Sequence, residues 1–540
     1  PLLPQIDKIG QIELLTAYLR KKFGKRPQGC WIPDAAWEQH LVGVLDSCGM
    51  NYTFLEESHF IAAGLSGAAP CISENQGKIA VVFPLSARLR DAFAVQDARQ
   101  VLENLARESA SQGALFTVFP DRLFAGEARA SAASPESSEA VYGRFFESLS
   151  RVSGSVEFTT PGKHYKSLGR LPKAYFPGDL GRKFLIDYPE ANALYAKMMF
   201  THTLINHLRG DKARKQNARE ELWKAQGHTL FSSASAAASA PAGEGGDICR
   251  APLRQAAYKA LLGAEKICRG QGKFTPSLLV LDFDFDGSPE YLFQDRNLNC
   301  YVKRAGASVF ELDYLPKTWN YLDTFSGNHP RRTAFADQLT PPDYSFTDAR
   351  DSRLEGVRFC EKENFGILDM DRSHRWADFK LPAKGEAQDS PQASYLERIE
   401  IEKRYTLKQD ILRVRYALIN RGTERASFKF IPRIDLSFSG EGDYMLRALC
   451  FRDQENGPAI PGGAEIDKLR RIEFRDINNE LTLHIAADRD FDGWLFPVNS
   501  PPQSREGLPS QYQSTCLMPV MTLSLEPEER WKVEFKLTIA

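Results

Sequence analysis

Residues 5–125 alternate between amphipathic helical patterns and short apolar runs, and this alternation constrains the fold more than any other feature of the chain. The run from Lys78 to Phe83, K-I-A-V-V-F, is typical of a strand buried on both faces. Further strands are predicted at Gly29–Ile32, Tyr52–Leu55 and Ala114–Phe119, and helices at Ile6–Arg20, Ala36–Cys48 and Val95–Ser109. The pattern indicates a parallel α/β sheet or barrel, in which the chemistry lies at the C-terminal ends of the strands.

The pattern changes twice along the rest of the chain. Helices are predicted at Glu190–Arg209, Ala213–Gln226 and Leu253–Cys268, interrupted by an Ala/Ser/Gly-rich stretch at Phe231–Gly246 that we expect to be a flexible surface tether. From Leu278 onward, alternating strands separated by turn residues predict an all-β sandwich. We therefore expect a multidomain α/β plus all-β protein, divided into residues 1–185, 186–275 and 276–540.

Charge and cysteine usage narrow the function classes. The chain has 69 Lys and Arg against 70 Asp and Glu, so its overall charge favours neither nucleic acid nor anionic lipid as a partner. Its 9 cysteines stand singly, without a C-x-x-C pair, which predicts neither a disulfide framework nor a structural zinc site and favours a reducing compartment. No apolar run reaches the roughly 18 residues that cross a bilayer. We expect a cytoplasmic protein with no nucleic-acid or membrane partner, and a homo-oligomer is left open.

Several short segments share their order along the chain with one known family. The segments are Gly29–Glu38 (G-C-W-I-P-D-A-A-W-E), Tyr52–Phe60, Phe83-Pro84 with Leu89-Arg90, Tyr188–Met199, Ala225-Gln226, and Asp286-Gly287 through Leu312. Together they resemble glycoside hydrolase family 57, and within it the 4-α-glucanotransferases and α-amylases. The resemblance implies an incomplete (β/α)7-type barrel, a small helical domain and a C-terminal mutarotase-like β-sandwich.

The resemblance also implies a retaining mechanism, in which two carboxyl groups about 5 to 5.5 Å apart act as nucleophile and as general acid/base. Asp34 stands where the family has a Glu nucleophile, and Asp121 matches the family's acid if a one-residue shift is allowed. Asp is one methylene shorter than Glu, about 1.5 Å, and a misplacement of about 1 Å can cost about 10²-fold in rate. Arg122 follows Asp121 directly and favours the ionised form of that carboxyl, which opposes its use as an acid. We therefore expect catalysis to be weakened or lost.

Candidate substrate contacts lie in the matched segments: Trp31, Trp37, His59 and Arg90. A Trp ring can stack on a sugar, although a Trp at a strand end under a helix packs into the core equally well. The same two alternatives, ligand contact or structural role, hold for His59. Further carboxylates that can substitute for the expected pair, but that are more often solvated, follow in the same segments: Glu38, Glu56 and Glu57.

The run Asp282–Glu290, D-F-D-F-D-G-S-P-E, has the D-x-D-x-D-G spacing of calcium loops. This spacing makes Asp282, Asp284 and Asp286 candidate ligands, and a structural calcium ion is the one cofactor candidate. Phe293 stands where an EF-hand has its bidentate Glu, so the run is not an EF-hand. The alternatives are a structural turn, or a strand that continues through Asp286 with the three aspartates on its solvent face.

Two functions follow from these observations. The first is an α-glucan-acting glycoside hydrolase or 4-α-glucanotransferase of carbohydrate metabolism whose catalysis is weakened or lost. The second is a non-catalytic carbohydrate-binding or assembly protein on the same scaffold. Both imply an α-glucan or an oligosaccharide as the ligand.

Overall fold

The computed structural model describes most of the chain in two compact units. The described residues are 2–32, 36–65, 69–86, 89, 103–104, 115–117, 138–151, 157–178, 181–231, 250–270, 274–325, 332–353, 355–384, 395–440, 446–451, 459–460, 463–499 and 511–540. The first unit is Pro1–Lys183 and the second is Phe184–Ala540. No helix in the described ranges is long and apolar enough to span a membrane.

The first unit combines helices with a small sheet. Its helices are α1 (Gln5–Phe23), α2 (Leu41–Ser47), α3 (Glu57–Ala62), α4 (Ser138–Ser150) and α5 (Pro161–Ser167). Its strands are β1 (Tyr52–Glu56), β2 (Cys71–Asn75) and β3 (Lys78–Leu85). The division between the units falls within α6 (Gly181–Asp187).

The predicted parallel arrangement is confirmed in this sheet. Strands β1 and β3 pair in parallel, with Tyr52 opposite Val81, and β2 pairs with β3 in the antiparallel sense. Two short parallel bridges extend the arrangement, one from Gly29 to Tyr52 and one from Leu85 to Thr117. Four chain segments therefore run in the same direction. Of the predicted strands at 29–32 and 114–119, the described residues form only these bridges.

Both faces of β3 are buried, as its continuous apolar run predicts. Ala80 and Val82 pack with α2 in one apolar cluster, whereas Val81, Phe83 and Leu85 pack with β1 in another. The pleat of the strand places alternate residues on opposite faces, so an unbroken apolar sequence fills two cores at once.

Helix α2 is shorter than predicted, because residues 36–40 make tertiary contacts instead of a helical turn. The side chain of Gln39 donates hydrogen bonds to Ser73 Oγ at 2.9 Å and to the carbonyl of Glu74 at 2.7 Å. These bonds outweigh the weak helix preference of a few residues. The predicted helix at 95–109 lies almost wholly outside the described residues.

The second unit begins with three helices that match the predicted ones to within a few residues. They are α7 (Pro189–His207), α8 (Lys212–Lys224) and α9 (Ala251–Arg269), and a fourth, short helix follows later, α10 (Phe346–Arg350). Helix α7 begins with Pro189, and α8 is capped by Asp211, whose side chain accepts the backbone N–H of Arg214 at 2.9 Å. The predicted tether between α8 and α9 lies outside the described residues beyond Phe231.

The remaining strands all belong to the second unit. They are β4 (Ser277–Leu281), β5 (Glu290–Gln294), β6 (Leu298–Val302), β7 (Val309–Tyr314), β8 (Trp319–Asn320), β9 (Ala334–Thr340), β10 (Arg358–Phe359), β11 (Gly366–Asp371), β12 (Trp376–Leu381), β13 (Ile399–Lys408), β14 (Ile411–Asn420), β15 (Ala426–Leu436), β16 (Leu446–Phe451), β17 (Ala459–Ile460), β18 (Ala464–Asp476), β19 (Leu481–Asn499), β20 (Tyr512–Leu525) and β21 (Arg530–Ile539).

These strands pair in two antiparallel runs that enclose one large apolar core. One run is β11–β12–β13–β14–β21–β19, and the other is β4–β5–β6–β7–β9–β15–β20–β19. Strand β19 belongs to both, because Leu483–Ala487 pair with β21 and Asp492–Asn499 pair with β20. Core residues come from both runs, among them Phe293, Val414 and Phe535, each fully buried. A sandwich in which one strand changes sheets is an established β-architecture, and it confirms the predicted all-β region.

Buried charges join the helices α7 and α9 to this sandwich. The Lys197 ammonium lies 2.6 Å from Asp313 Oδ2 and 3.2 Å from Glu265 Oε2, and all three side chains are fully buried. Arg269 donates to Glu265 Oε1 at 2.7 Å, and Asn299 donates to both carboxylates. Since the partners come from α7, α9, β6 and β7, the charges are neutralised only when helices and sandwich are assembled.

Candidate functional site

The candidate site of the first unit follows the C-terminal ends of its parallel segments. The backbone N–H of Cys30 donates to the carbonyl of Tyr52 at 3.1 Å, and that of Ser86 donates to the carbonyl of Thr117 at 2.8 Å. The first bond joins Cys30 to the start of β1, whereas the second joins the end of β3 to Thr117 at the C-terminal edge of the sheet. Glu56 is the last residue of β1, and Glu57 and His59 lie in α3 directly after it. In parallel α/β folds this edge carries the chemistry.

Three of the predicted site residues lie outside the described residues: Asp34, Arg90 and Asp121. In the sequence they follow shortly after Ile32, Leu89 and Thr117, which belong to the parallel segments or to the turn after β3. Leu89 donates its backbone N–H to Ser86 Oγ at 3.2 Å. The assignments of Asp34 as nucleophile, Arg90 as substrate contact and Asp121 as acid therefore stay predictions.

The two tryptophans predicted as sugar contacts, Trp31 and Trp37, differ in exposure. Trp31 is half-buried and packs beside the cluster that contains Phe54 and Phe83. Trp37 is 0% exposed, and its ring meets that of Phe176 edge-on with the centroids 6.1 Å apart. A fully buried ring offers no face to a sugar, so the prediction of Trp37 as a stacking wall is corrected to its core alternative. Trp31 keeps an accessible part.

Glu38, a candidate substitute carboxylate, is held by an ion pair. Arg182 donates to both of its oxygens, from Nε to Oε1 at 2.9 Å and from Nη2 to Oε2 at 3.2 Å. This hydrogen bonding lowers the pKa of Glu38. A carboxyl with a lowered pKa stays ionised and is a poor proton donor, so Glu38 is poorly suited to act as the general acid in place of Asp121.

His59 is the described residue at the strand ends that best suits a ligand. It is half-buried, and its Nδ1 is buried without a hydrogen-bond partner in the described part of the chain. A buried ring nitrogen without a partner costs free energy, which an ordered water or, after a local opening, a hydroxyl group of a ligand can offset. The role of His59 in substrate binding stays a prediction that this geometry favours.

A second polar cluster, the carboxylate turn of residues 282–290, lies between β4 and β5 in the second unit. Strand β4 ends at Leu281, so the alternative of a strand through Asp286 is wrong. The alternative of a structural turn is confirmed, with positive φ at Phe285 (63°) and Gly287 (89°). Single oxygens of Asp282, Asp284 and Glu290 lie within 4.8 Å of one another. The turn thus places Glu290 beside Asp282 and Asp284, although the D-x-D-x-D-G spacing did not predict it as a ligand.

The electrostatics of the carboxylate turn suit a hard cation. Glu290 is 3% exposed and accepts the backbone N–H of Phe283 at 2.7 Å, whereas Asp284 Oδ1 is buried without a hydrogen-bond partner. Burial, together with the charges of Asp284 and Asp286, raises the pKa of Glu290 to about 7. Asp286 itself accepts the backbone N–H of Ser288 at 2.7 Å and lies outside the group of three. An oxygen-only donor set is the one that calcium prefers.

Two sequence profiles place the chain in a class of glycoside hydrolases. Residues 1–173 match Glycosyl hydrolase family 57, and residues 282–333 and 326–535 match the C-terminal region of Alpha-amylase/4-alpha-glucanotransferase. Over residues 1–173 the chain is therefore similar to glycosyl hydrolase family 57, and the resemblance predicted from the sequence is confirmed.

Individual relatives agree with this assignment. The chain is 23% identical to Alpha-amylase 1 of Dictyoglomus thermophilum over 626 aligned positions, covering 100% of this chain and 87% of that enzyme. It is 24% identical to the 4-alpha-glucanotransferase of Thermococcus litoralis, over 61% of this chain and 53% of that enzyme.

Among solved structures, the crystal structure of the Thermococcus litoralis 4-alpha-glucanotransferase superimposes with a TM-score of 0.78 at 17% identity, covering 99% of this chain and 85% of that chain. The likeness at this identity concerns the fold. It confirms the predicted fold class, an α/β barrel part followed by helices and a C-terminal β-rich region.

Proposed function

We propose that this protein acts on α-glucans as a weakened hydrolase or 4-α-glucanotransferase. The main support is that residues 1–173, which match the glycosyl hydrolase family, contain the parallel strand ends and His59. An α-glucan or an oligosaccharide is the proposed ligand because the relatives are amylases and glucanotransferases.

The proposed reaction is a retaining displacement. The Asp34 carboxylate attacks the anomeric carbon, and Asp121 gives its proton to the leaving glycosidic oxygen, so that a glycosyl-enzyme ester forms and the first saccharide departs. Asp121, now ionised, then takes a proton from water or from an acceptor hydroxyl group, whose oxygen displaces Asp34. Trp31, His59 and Arg90 are proposed to hold the sugar.

The proposed weakness has a geometric basis. Asp34 is shorter than the Glu of the family by about 1.5 Å, and retention depends on the separation of the two carboxyl groups. A rate loss of about 10²-fold follows from a misplacement of about 1 Å. The ion pair of Glu38 with Arg182 keeps that carboxylate from acting as a substitute acid.

A calcium ion in the carboxylate turn is part of the proposal. Asp282, Asp284 and Glu290 would hold it, and the orphaned Oδ1 of Asp284 supports the fit. The ion would neutralise buried carboxylates and rigidify the turn, without a part in the reaction. We also propose a cytoplasmic location, in keeping with singly spaced cysteines.

The alternative is a non-catalytic carbohydrate-binding or assembly protein on the same scaffold. It is supported by the altered carboxylate positions, and it differs from the first proposal in one observable, the turnover of bound glucan.

Incubation of the full chain with maltoheptaose, followed by chromatography of the products, tests the proposal. We expect slow formation of longer or shorter maltooligosaccharides, which Asp34→Asn abolishes. Asp46→Asn is the matched control, because Asp46 pairs at 2.8 Å with Lys78, the first residue of β3, at the opposite edge of the sheet from the C-terminal strand ends. Binding of maltoheptaose with no products would favour the non-catalytic alternative, and absence of binding would exclude both.

A further inference from the structure

A groove crosses the surface of the sandwich where β19 changes partners. Residues 488–491 lie between the segment of β19 that pairs with β21, ending at Ala487, and the segment that pairs with β20, beginning at Asp492. The neighbouring strands therefore separate here. The resulting groove has a volume of about 470 Å³ and is formed by β18, β19, β20 and β21, within the range of about 300 to 1,000 Å³ common for ligand sites.

The lining of the groove combines apolar residues with one aromatic wall. Val520 and Met521 on β20 are 2% and 4% exposed and supply apolar parts of the lining. Trp531 on β21 is half-buried, with the centroid of its ring 6.3 Å from that of Phe430. Trp531 is therefore held in place from behind while part of its ring borders the groove.

Polar groups of both signs form the rest of the lining. Arg470 donates a hydrogen bond to Asp490, and its Nη1 donates to the carbonyl of Asp488 at 2.5 Å. The guanidinium carbon of Arg489 lies 5.6 Å from the centroid of the Trp531 ring. This distance is near the limit of about 6 Å for a cation–π contact, so a ligand can displace the side chain at low cost.

The charge balance of the groove indicates a neutral occupant. Two arginines, Arg470 and Arg489, face two aspartates, Asp490 and Asp492. A phosphate-bearing ligand would meet both carboxylates, and a purely apolar ligand would leave the guanidinium groups desolvated. A sugar suits the aromatic, cationic and anionic parts of the lining. Its C–H face can cover the Trp531 ring, and its neighbouring hydroxyl groups can pair with guanidinium and carboxylate groups.

We propose that this groove is an α-glucan-binding site in its own right, carried wholly by the second unit. The choice of an α-glucan as the occupant rests on the proposed function, whereas the saccharide character rests on the lining. The site would hold a short stretch of a polysaccharide chain against Trp531. It would serve to keep the protein on polymeric substrate, and it takes no part in bond cleavage.

Affinity electrophoresis of the full chain in gels that contain soluble starch tests the proposal, with turnover of maltoheptaose measured on the same samples. We expect Trp531→Ala to weaken retardation at least tenfold in apparent affinity, with maltoheptaose turnover at the wild-type level. The double variant Arg489→Ala/Asp490→Ala should weaken it in the same direction. Both changed residues are exposed, so this variant tests the site even where loss of Trp531 disturbs folding.

Trp376→Ala is the matched control. Trp376 is also half-buried on the sandwich and also carries an arginine, Arg404, whose guanidinium carbon lies 4.2 Å from its ring centroid, but it does not line the groove. We expect wild-type retardation for this variant. Equal weakening by Trp376→Ala would overturn the proposal.

The remaining outcomes separate this site from the proposed function. Unchanged retardation in both groove variants, or no retardation of the wild type, overturns the groove site, whatever the turnover. Retardation that depends on Trp531 in a protein without turnover supports the groove site and contradicts only the catalytic half of the proposed function.

Discussion

Two buried polar groups, one in each unit, differ in whether the described residues satisfy them. In the first unit, Nδ1 of His59 stands buried at a strand end without a hydrogen-bond partner among the described residues. In the second unit, Lys197 is fully buried yet meets Asp313 and Glu265 at ion-pair distance. An unmet group beside a strand end indicates a ligand, whereas a fully paired group indicates assembly. For these two groups, the presence or absence of a partner, rather than burial, separates a candidate ligand contact from a structural ion pair.

A second buried lysine refines the comparison. Lys403 is also 0% exposed, but it faces one carboxylate, Asp337 at 3.0 Å, and the carbonyl of Phe335 at 2.6 Å. Burial lowers the pKa of Lys403 and raises that of Asp337. For Lys197 burial acts in the same direction, but Asp313 and Glu265 outweigh it and raise the pKa well above the ordinary value. A second carboxylate thus decides whether a buried lysine stays firmly charged.

The largest effect is expected from cutting the chain between helices and sandwich. The fragment 276–540 loses Lys197, and it also loses Tyr258, whose hydroxyl donates to Glu311 Oε1 at 3.1 Å. Asp313 and Glu311 lose these partners, and the apolar side of the sandwich that packs against α7 becomes exposed to solvent. We expect residues 184–540 to unfold cooperatively in urea and residues 276–540 to show no cooperative transition. Equal stability of the two fragments would contradict the structural role of the buried charges.

The next largest effect is expected from Lys197→Met. Removing one partner from a buried ion pair costs about 3 to 5 kcal/mol, and here two carboxylates lose their cation. Lys403→Met is the control, for which we expect about 1 to 3 kcal/mol, because Asp337 has a raised pKa and keeps the hydrogen bond from Tyr416. Urea denaturation of the full chain measures both. A larger loss of unfolding free energy in Lys403→Met than in Lys197→Met would contradict the expected order of the two buried lysines.

The carboxylate turn predicts a stability that depends on pH and calcium. The pKa of Glu290 is raised to about 7 from 4.5, so the folded state binds this proton more tightly than the unfolded state. Stability is therefore lost as pH rises from about 4.5 to about 7, by at most about 3 kcal/mol, and stays lost above that range. We expect calcium to raise Tm by a few degrees at about pH 8 and hardly at about pH 5.

Glu290→Gln is the matched variant for this prediction. It keeps the shape of the side chain and removes the titration, so both the pH dependence and the calcium response should shrink. A calcium response that is equal at both pH values, or unchanged in the variant, would contradict the assignment of Glu290.

The smallest effect is expected from His59→Ala, about tenfold weaker binding of maltoheptaose, equivalent to about 1.4 kcal/mol. Stability should change little, because Nδ1 makes no hydrogen bond within the described residues. His484→Ala should do the reverse, since His484 pairs with Glu473 at 3.2 Å on the sandwich. Calorimetric titration measures the affinity of both variants for maltoheptaose, and thermal unfolding measures their stability. If His59 were purely structural, His59→Ala would lose stability rather than affinity.

The sequence predicts the fold well where the local spacing of apolar residues depends directly on secondary structure and burial. The run at Ile79–Phe83 is apolar throughout, and both faces of β3 are covered from Ala80 onward. Alternation marks β13 and β14 because one face of each meets the core. The helices α7, α8 and α9 also follow from periodicity.

The site is less predictable, because its contacts join distant positions. Arg182 and Glu38 form an ion pair although they are 144 residues apart in the sequence, and no local sequence pattern predicts such a pair. Trp37 lies in a motif with two tryptophans, and only the packing of Phe176 against it shows which ring is core. Glu290 joins the carboxylate turn because the chain reverses at Gly287, a turn that the aspartate spacing alone did not reveal.

The most direct test of the account is the rate of maltoheptaose disproportionation by Asp34→Glu against the wild type. Because weak catalysis is proposed to result from a nucleophile that is about 1.5 Å too short, restoring the longer side chain should raise the rate at least tenfold. A wild-type rate that is already high, and that falls on the change to Glu, would show that the site is built around Asp34 and would contradict the central claim.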